Sequence, residues 1–183
     1  MKDFNFKLLG TFDTSKILKK VESLSQEDWF EYTFRQVLFN EFHGQTLTIP
    51  ILYDERYLGN MGKKSKFYEM FEEDIIELNK TYQSIMNKDG NIIRIEIVKM
   101  PPHTEIKRHF DSTQSFRDDN RTHLPIQTNE KVIFYVGGEE KNMKLNEIWE
   151  INNAFKQHGV VNNSDYDRIH MIIDWKFSPN KLL

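Results

Sequence analysis

The chain has 183 residues and, with 25 basic and 28 acidic side chains, a net charge of -3. The two signs of charge are interleaved, which argues against a nucleic-acid surface. The absence of cysteine excludes thiolate metal sites, cysteine nucleophiles and disulfides, so a metal would have to be held by His and carboxylate side chains. The length suits a single domain (residues 1–183), and no run approaches the roughly 20 apolar residues that span a bilayer. We therefore expect a cytoplasmic protein without a membrane partner.

The N-terminal part of the chain predicts an amphipathic helix followed by a strand. Residues 13–24 carry apolar side chains at helical spacing, after a possible cap at Asp13 or Ser15. The segment TLTIPILY, residues 46–53, is rich in β-branched and apolar residues and predicts a strand. Because Pro50 has no N–H to donate, we expect this strand to lie at an edge or to contain a bulge.

A second and longer helix is predicted over residues 65–86, where apolar side chains form one broad stripe. The pair Asp89 and Gly90 is expected to end it. Residues 1–90 thus form a helical and mixed portion, which we expect to pack on the rest of the chain.

After Gly90 the chain predicts only strands and turns. Residues 91–100 alternate, with Ile93, Ile95 and Ile97 on one face and Arg94, Glu96 and Val98 on the other. The other predicted strands span residues 105–109, 121–127, 131–137, 148–151, 155–161 and 168–176. Seven short strands at close spacing predict a sandwich or barrel.

The last predicted strand has one apolar and one polar face. The apolar face carries Ile169, Met171, Ile173 and Trp175, and the opposite face carries Arg168, His170, Ile172 and Asp174. Arg121 and His123 likewise share one face of their strand. We expect the helices to cover the apolar side and the polar side to line a pocket. The alternative is that the polar faces are ordinary solvent-exposed faces of an antiparallel sheet.

Three residues have the types and the order of a mononuclear iron site. His109 and Asp111 lie two apart on a predicted strand, so both can reach one ion, and His158 follows 49 residues after His109. Two imidazoles and one carboxylate leave three coordination positions open, as in non-haem Fe(II) oxygenases. Taken alone, a His-x-Asp triplet can equally be a solvated pair in a loop.

Arg168 lies ten residues after His158 on the polar face of the last strand. A buried guanidinium requires an anion, and its planar fork matches a carboxylate through two parallel hydrogen bonds. The anion is either the carboxylate of a ligand or a structural partner, for which Asp174 and Glu96 are the candidates.

Several segments together resemble the aspartyl/asparaginyl β-hydroxylase family. They are HFDST, RTHLPIQTN, KVIFYVGGEE and NEIWEINNAFKQHGVVNNSDYDRIHMIIDW, all within residues 91–176. The resemblance implies a mainly β fold with flanking helices, a double-stranded β-helix (a cupin-like jelly roll), in which residues 91–176 form the catalytic core. It also implies an Fe(II)- and 2-oxoglutarate-dependent dioxygenase that uses O2.

The resemblance implies a role for each of six residues. It assigns three of them to iron: His109, Asp111 and His158. Arg168 would hold the distal carboxylate of 2-oxoglutarate. Arg121 and His123 would lie at the near end of this co-substrate or contact the carboxylate of the substrate.

Some positions differ from the family pattern or have no clear part in it. Asp111 places the chain with the bacterial members that keep all three metal ligands. Val98 stands where some members have a hydroxyl residue that helps to bind 2-oxoglutarate, so another residue would have to supply that contact. Asn146 replaces the usual turn glycine and tolerates a left-handed conformation, and Asn162 matches the pattern without an evident chemical role.

We expect hydroxylation of a small-molecule substrate, either a free amino acid or an amino-acid residue of a peptide. The alternatives are a jelly-roll module that binds a metal or anion without oxygen chemistry, and a cupin enzyme with a non-redox metal. The sequence predicts no particular oligomeric state.

The remaining histidines and tryptophans are expected to have structural roles. His103 is expected in an exposed turn, and His43 in a loop or at a helix end, unless the N-terminal half closes over the pocket. His170 is either a core residue or a neighbour of the site. Trp149 and Trp175 are expected to anchor the core.

Overall fold

A computed structural model describes residues 2–54, 58–111 and 119–178 of the protein. The helices are α1 (Ser15–Glu22), α2 (Gln26–Glu31), α3 (Phe34–Leu38), α4 (Asn40–His43) and α5 (Tyr68–Met86). The strands are β1 (Phe6–Thr11), β2 (Leu47–Tyr53), β3 (Lys63–Lys64), β4 (Gly90–Met100), β5 (Thr104–His109), β6 (Asn120–Gln127), β7 (Val132–Val136), β8 (Glu139–Lys141), β9 (Glu147–Ile151), β10 (His158–Asn162) and β11 (Arg168–Phe177). Within the described ranges, none of the helices combines the length and the apolar character needed to cross a membrane.

The strands form two antiparallel sheets. The major sheet has seven strands in the order β1-β9-β6-β11-β4-β2-β3, and the minor sheet has four in the order β5-β10-β7-β8. Every sequence-predicted strand is present, although β10 begins at His158 rather than at residue 155. This confirms the predicted fold class, a jelly roll with flanking helices.

The molecule has three layers, the helices, the major sheet and the minor sheet, with an apolar cluster between each adjacent pair. The larger cluster joins the helices to the outer face of the major sheet, with α5 contributing Phe71, Leu78 and Tyr82 against Ile97 and Ile173 of the central strands. The smaller cluster fills part of the space between the sheets; its members include Met100, Ile106, Phe134, Ile151 and Val160. The prediction that helices cover the apolar face of the last strand is therefore confirmed.

Two bulges shape the middle of the major sheet. In β4, Arg94 lies opposite Asp174 but Ile92, not Ile93, lies opposite Trp175. The extra residue at Ile93 breaks the predicted alternation, and Ile92 joins the helix-side cluster in its place. The expected bulge near Pro50 is also present, as a register shift between Pro50 and Leu52.

The N-terminal portion is built into the major sheet as well as packed on it. β1, which the sequence analysis did not identify, pairs with β9 at one edge, and β2 pairs with β4 near the other. Asn146 has a φ of 70°, as its turn position predicted. Its side-chain oxygen accepts hydrogen bonds from the backbone N–H and hydroxyl of Thr14, at 3.0 and 2.8 Å, and so fixes the start of α1.

The ends of the two predicted helices differ slightly from expectation. Thr14, rather than Asp13 or Ser15, occupies the capping position of α1, while the Asp13 carboxylate accepts from the backbone N–H of Ser15 at 3.0 Å. Helix α5 ends at Met86, before Asp89, because Asn87 adopts a left-handed conformation with a φ of 48°.

Candidate active site

The three predicted metal ligands lie together at one end of the minor sheet. His109 ends β5 and His158 begins β10, and the two residues are paired across these strands with ring centroids 4.3 Å apart. Asp111 follows shortly after β5. Its backbone N–H donates to the carbonyl oxygen of Asn153 at 3.1 Å, which holds the turn that brings the carboxylate to the two rings.

Each of these side chains offers one ligand atom to a common point. Nδ1 of His109 lies 2.8 Å from the carbonyl oxygen of Lys107. Because a carbonyl can only accept, Nδ1 carries the proton and Nε2 keeps its lone pair. Oδ1 of Asp111 lies 3.6 Å from Nε2 of His109 and 3.8 Å from Nε2 of His158. The ligand atoms all lie within 4.8 Å of one another, so the group can hold one divalent metal ion.

The electrostatics of the site favour the forms that bind a metal. Burial acts to raise the pKa of Asp111, but the neighbouring His158 and Arg121 and a hydrogen bond from Asn153 bring that pKa well below its ordinary value. Burial lowers the pKa of His158 to about 4. At neutral pH the site therefore offers a carboxylate and a neutral imidazole.

Arg121 bridges Asp111, a candidate metal ligand, and Asp174 on β11 of the major sheet. Its Nη1 donates to Oδ2 of Asp111 at 2.9 Å, and its Nε and Nη2 donate to the two oxygens of Asp174 at 2.8 and 2.9 Å. Asp174 also accepts from Nε of Arg94 at 2.5 Å. Burial raises the pKa of Asp174, but the two arginines bring it below its ordinary value, so Asp174 is charged at neutral pH.

The contacts of Arg121 suggest a different role from the one that the resemblance implies. The sequence analysis placed its guanidinium against the co-substrate or the substrate carboxylate. Arg121 lies opposite Asp174 on the neighbouring strand, and three of its N–H groups donate to the carboxylates of Asp111 and Asp174. Asn153 adds a second hydrogen bond to Oδ2 of Asp111, at 2.8 Å. Arg121 and Asn153 therefore orient Asp111 and leave its Oδ1 free for a metal.

Arg168 is a buried cation that forms no ion pair with a carboxylate of the described residues. Its side chain lines the pocket beside the three metal ligands and is 1% exposed. Its Nε and Nη2 have no hydrogen-bond partner among the described residues. Of its two candidate partners, Asp174 binds Arg94 and Arg121, and the ion pair of Glu96 is with Arg35. Burial, followed by the charge of Arg35, lowers the pKa of Arg168 to about 9, so it is charged at neutral pH, and a ligand anion in the pocket would compensate this charge.

His123 and His170 are both buried, and their rings lie 6.1 Å apart. His123 lines the pocket, whereas His170 packs with its ring stacked on Phe134, centroids 5.5 Å apart. Burial, with the charge of Arg168 next, lowers the pKa of both histidines well below the ordinary value, so both are neutral. His170 is thus a core residue adjacent to the site rather than part of its lining.

A short N-terminal segment also reaches the site, which the sequence analysis largely missed. The ring of Phe42 stacks on His109 with centroids 4.7 Å apart, and the ring of His43 meets His109 edge-on at 5.2 Å. Arg35 and His43 line the same pocket, which has a volume of about 420 Å³. His43 is the last residue of α4, as expected, and the alternative expectation, that the N-terminal half brings it to the pocket, is also correct. No periodicity or motif in the sequence marked Arg35.

The other residues considered in the sequence have structural roles. His103 is exposed, has a φ of 55° and lies 3.0 Å from Asp165. The amide nitrogen of Asn162 lies within 3.2 Å of three backbone carbonyl oxygens, so Asn162 ties β10 to its flanking turns. Trp175 is buried in the helix-side cluster, and Trp149 packs at the edge of the cluster between the sheets.

Comparison with solved structures identifies the fold. An oxidoreductase of the 2OG-Fe(II) oxygenase family from Burkholderia pseudomallei aligns with 72% of this chain and 68% of its own, at 13% identity and a TM-score of 0.57. The cupin domain of Cnp3 from Schizosaccharomyces pombe (12% identity, 46% and 56% covered, TM-score 0.36) and a cupin 2 barrel protein from Salinispora arenicola (10%, 46% and 63%, 0.35) are more distant.

Comparison of sequences identifies the family. No curated protein matches the chain. The family model for Aspartyl/Asparaginyl beta-hydroxylase matches residues 57–177, about two thirds of the chain, and this range contains all six predicted site residues. The chain therefore belongs to the Aspartyl/Asparaginyl beta-hydroxylase family and is an oxygenase of the hydroxylase type.

Proposed function

We propose that the protein is an Fe(II)- and 2-oxoglutarate-dependent dioxygenase that hydroxylates a free amino acid or an amino-acid residue of a peptide. His109, Asp111 and His158 hold the iron. Arg168 binds the distal carboxylate of 2-oxoglutarate, and His123 lies along the co-substrate between them. The neutral state of His123 suits contact with an uncharged part of this molecule.

The observation that carries the proposal is the buried guanidinium of Arg168, whose Nε and Nη2 have no hydrogen-bond partner among the described residues, in the same pocket as the His-Asp-His group. A metal alone would not compensate a buried cation, whereas a diacid that reaches from the metal to Arg168 does so. The negative charge of Asp111 leaves a net charge of +1 on an Fe(II) ion held at this site. The nearer carboxylate of the diacid can neutralise that charge.

Bound iron and 2-oxoglutarate supply the oxidising chemistry with O2: one oxygen atom enters the substrate C–H bond as a hydroxyl, and the other enters succinate as CO2 leaves. The protein's own residues supply position and exclusion of water. Arg121 and Asn153 fix Asp111, Lys107 fixes the tautomer of His109, and Phe42 covers the imidazole of His109 on one side.

Two other functions were considered from the sequence, a binding module without oxygen chemistry and a cupin enzyme with a non-redox metal. Membership of a hydroxylase family weighs against both. A non-redox metal alone does not explain why Nε and Nη2 of Arg168 are buried beside the candidate metal ligands without a hydrogen-bond partner among the described residues. No observation in the described residues favours either of them over the oxygenase.

An anaerobic titration tests the metal and co-substrate sites together. Fe(II) and 2-oxoglutarate are added to the protein, and the weak visible metal-to-ligand charge-transfer band is recorded. We expect the band in the wild type and in His103→Ala, which removes an exposed histidine away from the site, but not in His109→Ala. A wild type without the band, or a His109→Ala variant with an unchanged band, would refute the proposal.

The substrate class is tested by measuring succinate during aerobic turnover. The twenty amino acids and a set of short peptides are compared with the uncoupled reaction that has no added substrate. Stimulation by one or a few free amino acids would support a small-molecule substrate, and stimulation by peptides alone would support a residue in a chain. If none stimulates succinate release, the proposed substrate class is wrong.

A further inference from the structure

Helices α3 and α4 bring a second buried arginine, Arg35, into the pocket. This segment lies before residue 57 and therefore outside the range matched by the family model. Helix α4 covers the metal ligand His109 with Phe42 and His43. Helix α3 is held against the major sheet by Gln36, whose amide donates to the hydroxyl of Thr48 at 2.9 Å. The neighbouring residue, Arg35, lines the pocket.

Arg35, like Arg168, keeps part of its buried guanidinium without a hydrogen-bond partner among the described residues. Its side chain is 6% exposed, and its Nη1 has no hydrogen-bond partner among the described residues. The carboxylate of Glu96 is 4.0 Å from Nε, at the limit of an ion pair. The charge of Arg35 also contributes to lowering the pKa of Arg168, so the two cations disfavour each other in the empty pocket. A second anion in the pocket would relieve this repulsion.

The two carboxylates of 2-oxoglutarate already have partners in the proposed function, one at the metal and one at Arg168. Arg121, the residue that the resemblance offered for a substrate carboxylate, is occupied by Asp111 and Asp174. Arg35 belongs to the segment that covers His109, next to the place where a substrate has to lie to react at the metal.

We propose that Arg35 binds the carboxylate of the primary substrate, which is a carboxylic acid of amino-acid size with a free carboxylate. This inference rests on the proposed function and specifies its substrate. The site selects against amides and esters, because they carry no negative charge to compensate the buried Arg35 cation. For a ligand that differs only in this group, the loss of one such interaction corresponds to about 10- to 100-fold in affinity.

The test is calorimetric binding under anaerobic conditions to protein loaded with Fe(II) and 2-oxoglutarate. The probes are the twenty L-amino acids and the carboxamide of each. We expect at least one amino acid to bind, and its carboxamide to bind about 10- to 100-fold more weakly. In Arg35→Gln this preference should fall to within about threefold, and Arg35→Lys, which keeps the charge, should retain part of it.

Two controls separate this site from that of the co-substrate. The affinity for 2-oxoglutarate should change less than about threefold in Arg35→Gln, since Arg168 still binds it. Arg108→Gln, which removes an exposed arginine on β5, should leave both affinities unchanged. Circular dichroism establishes that each variant is folded.

Two results would overturn the inference while leaving the proposed function intact. One is a tenfold or greater loss of 2-oxoglutarate binding in Arg35→Gln with amino-acid binding retained, which would make Arg35 part of the co-substrate site. The other is a 2-oxoglutarate-loaded wild type that binds none of the twenty amino acids. Failure of the wild type to bind 2-oxoglutarate would instead refute the proposed function itself, and the inference with it.

Discussion

Replacing Arg168 by methionine should stabilise the protein in the absence of ligands and abolish its response to 2-oxoglutarate. Arg168 is 1% exposed and has two N–H groups without partners in the described part of the chain. Replacing buried charged groups by apolar residues of similar size is often neutral or stabilising by about 1–4 kcal/mol. For an unpaired cation we expect a gain of about 2 kcal/mol, which raises Tm by about 4–8 °C in a chain of this length.

When metal and 2-oxoglutarate are added, the wild type should become more stable than Arg168→Met. At 100 times its Kd, 2-oxoglutarate stabilises the wild type by about 2.7 kcal/mol, whereas Arg168→Met should gain nothing from it. Thermal unfolding of metal-free protein, and of Fe(II)-loaded protein with and without 2-oxoglutarate under anaerobic conditions, measures both effects.

The matched control for this experiment is Arg94→Met. Arg94 is the same residue type at the same 1% exposure, but it is paired with Asp174. Its removal should destabilise the protein by about 2–3 kcal/mol, because it weakens a buried ion pair. If Arg168→Met were also less stable than the wild type without ligands, Arg168 would be serving a structural partner and the argument for an anion site would be wrong.

Three further predictions test the surroundings of the site. Arg121→Gln should lower the affinity for Fe(II) about 10- to 100-fold in an anaerobic metal titration, because Asp111 loses the donor that orients it; an unchanged affinity would contradict this role. Asp174→Asn should lower the free energy of unfolding by about 3 kcal/mol at pH 7. The pKa of Asp174 is lower in the folded protein, so its charge stabilises the fold above the ordinary carboxyl pKa, and this stabilisation is lost as the pH falls. In urea unfolding, the difference in free energy of unfolding between Asp174→Asn and the wild type should therefore be smaller at pH 3 than at pH 7. Asn146→Gly should cost about 1 kcal/mol through loss of the acceptor for Thr14, and Asn146→Ala about 1 kcal/mol more because of its φ of 70°; equal Tm values for the two variants would show that the left-handed backbone is not strained.

Elements that depend on local periodicity could be predicted from the sequence. The alternation in the last strand predicted both faces of β11, and the apolar stripe of residues 65–86 predicted α5. The bulge at Ile93 could not be predicted in this way, because the pattern of isoleucines is equally regular in either register. Which of Ile92 and Ile93 enters the core is decided by the pairing of β4 with β11.

The candidate metal ligands could be predicted because coordination chemistry restricts their types and order. The partners of the arginines could not be predicted, because they depend on contacts between residues distant in the chain. Arg121 and Asp174 are 53 positions apart and meet only through strand pairing. Arg35 enters the pocket from a five-residue helix, too short for a periodic signal. The role proposed for it depends on surroundings that only the fold shows, the pocket that it lines and the carboxylate of Glu96 at 4.0 Å from its Nε.

Few insertions or deletions within β11 should be neutral. From Arg168 to Trp175 every residue is buried, with the outer face packed under the helices and the inner face carrying Arg168 and the ion pair of Asp174. A shift of one residue would therefore place charges beneath the helices and apolar side chains in the pocket at the same time. Among related sequences, insertions and deletions should accordingly accumulate in the turns on either side of this strand, and a sequence with one inside it will have lost either its fold or its chemistry.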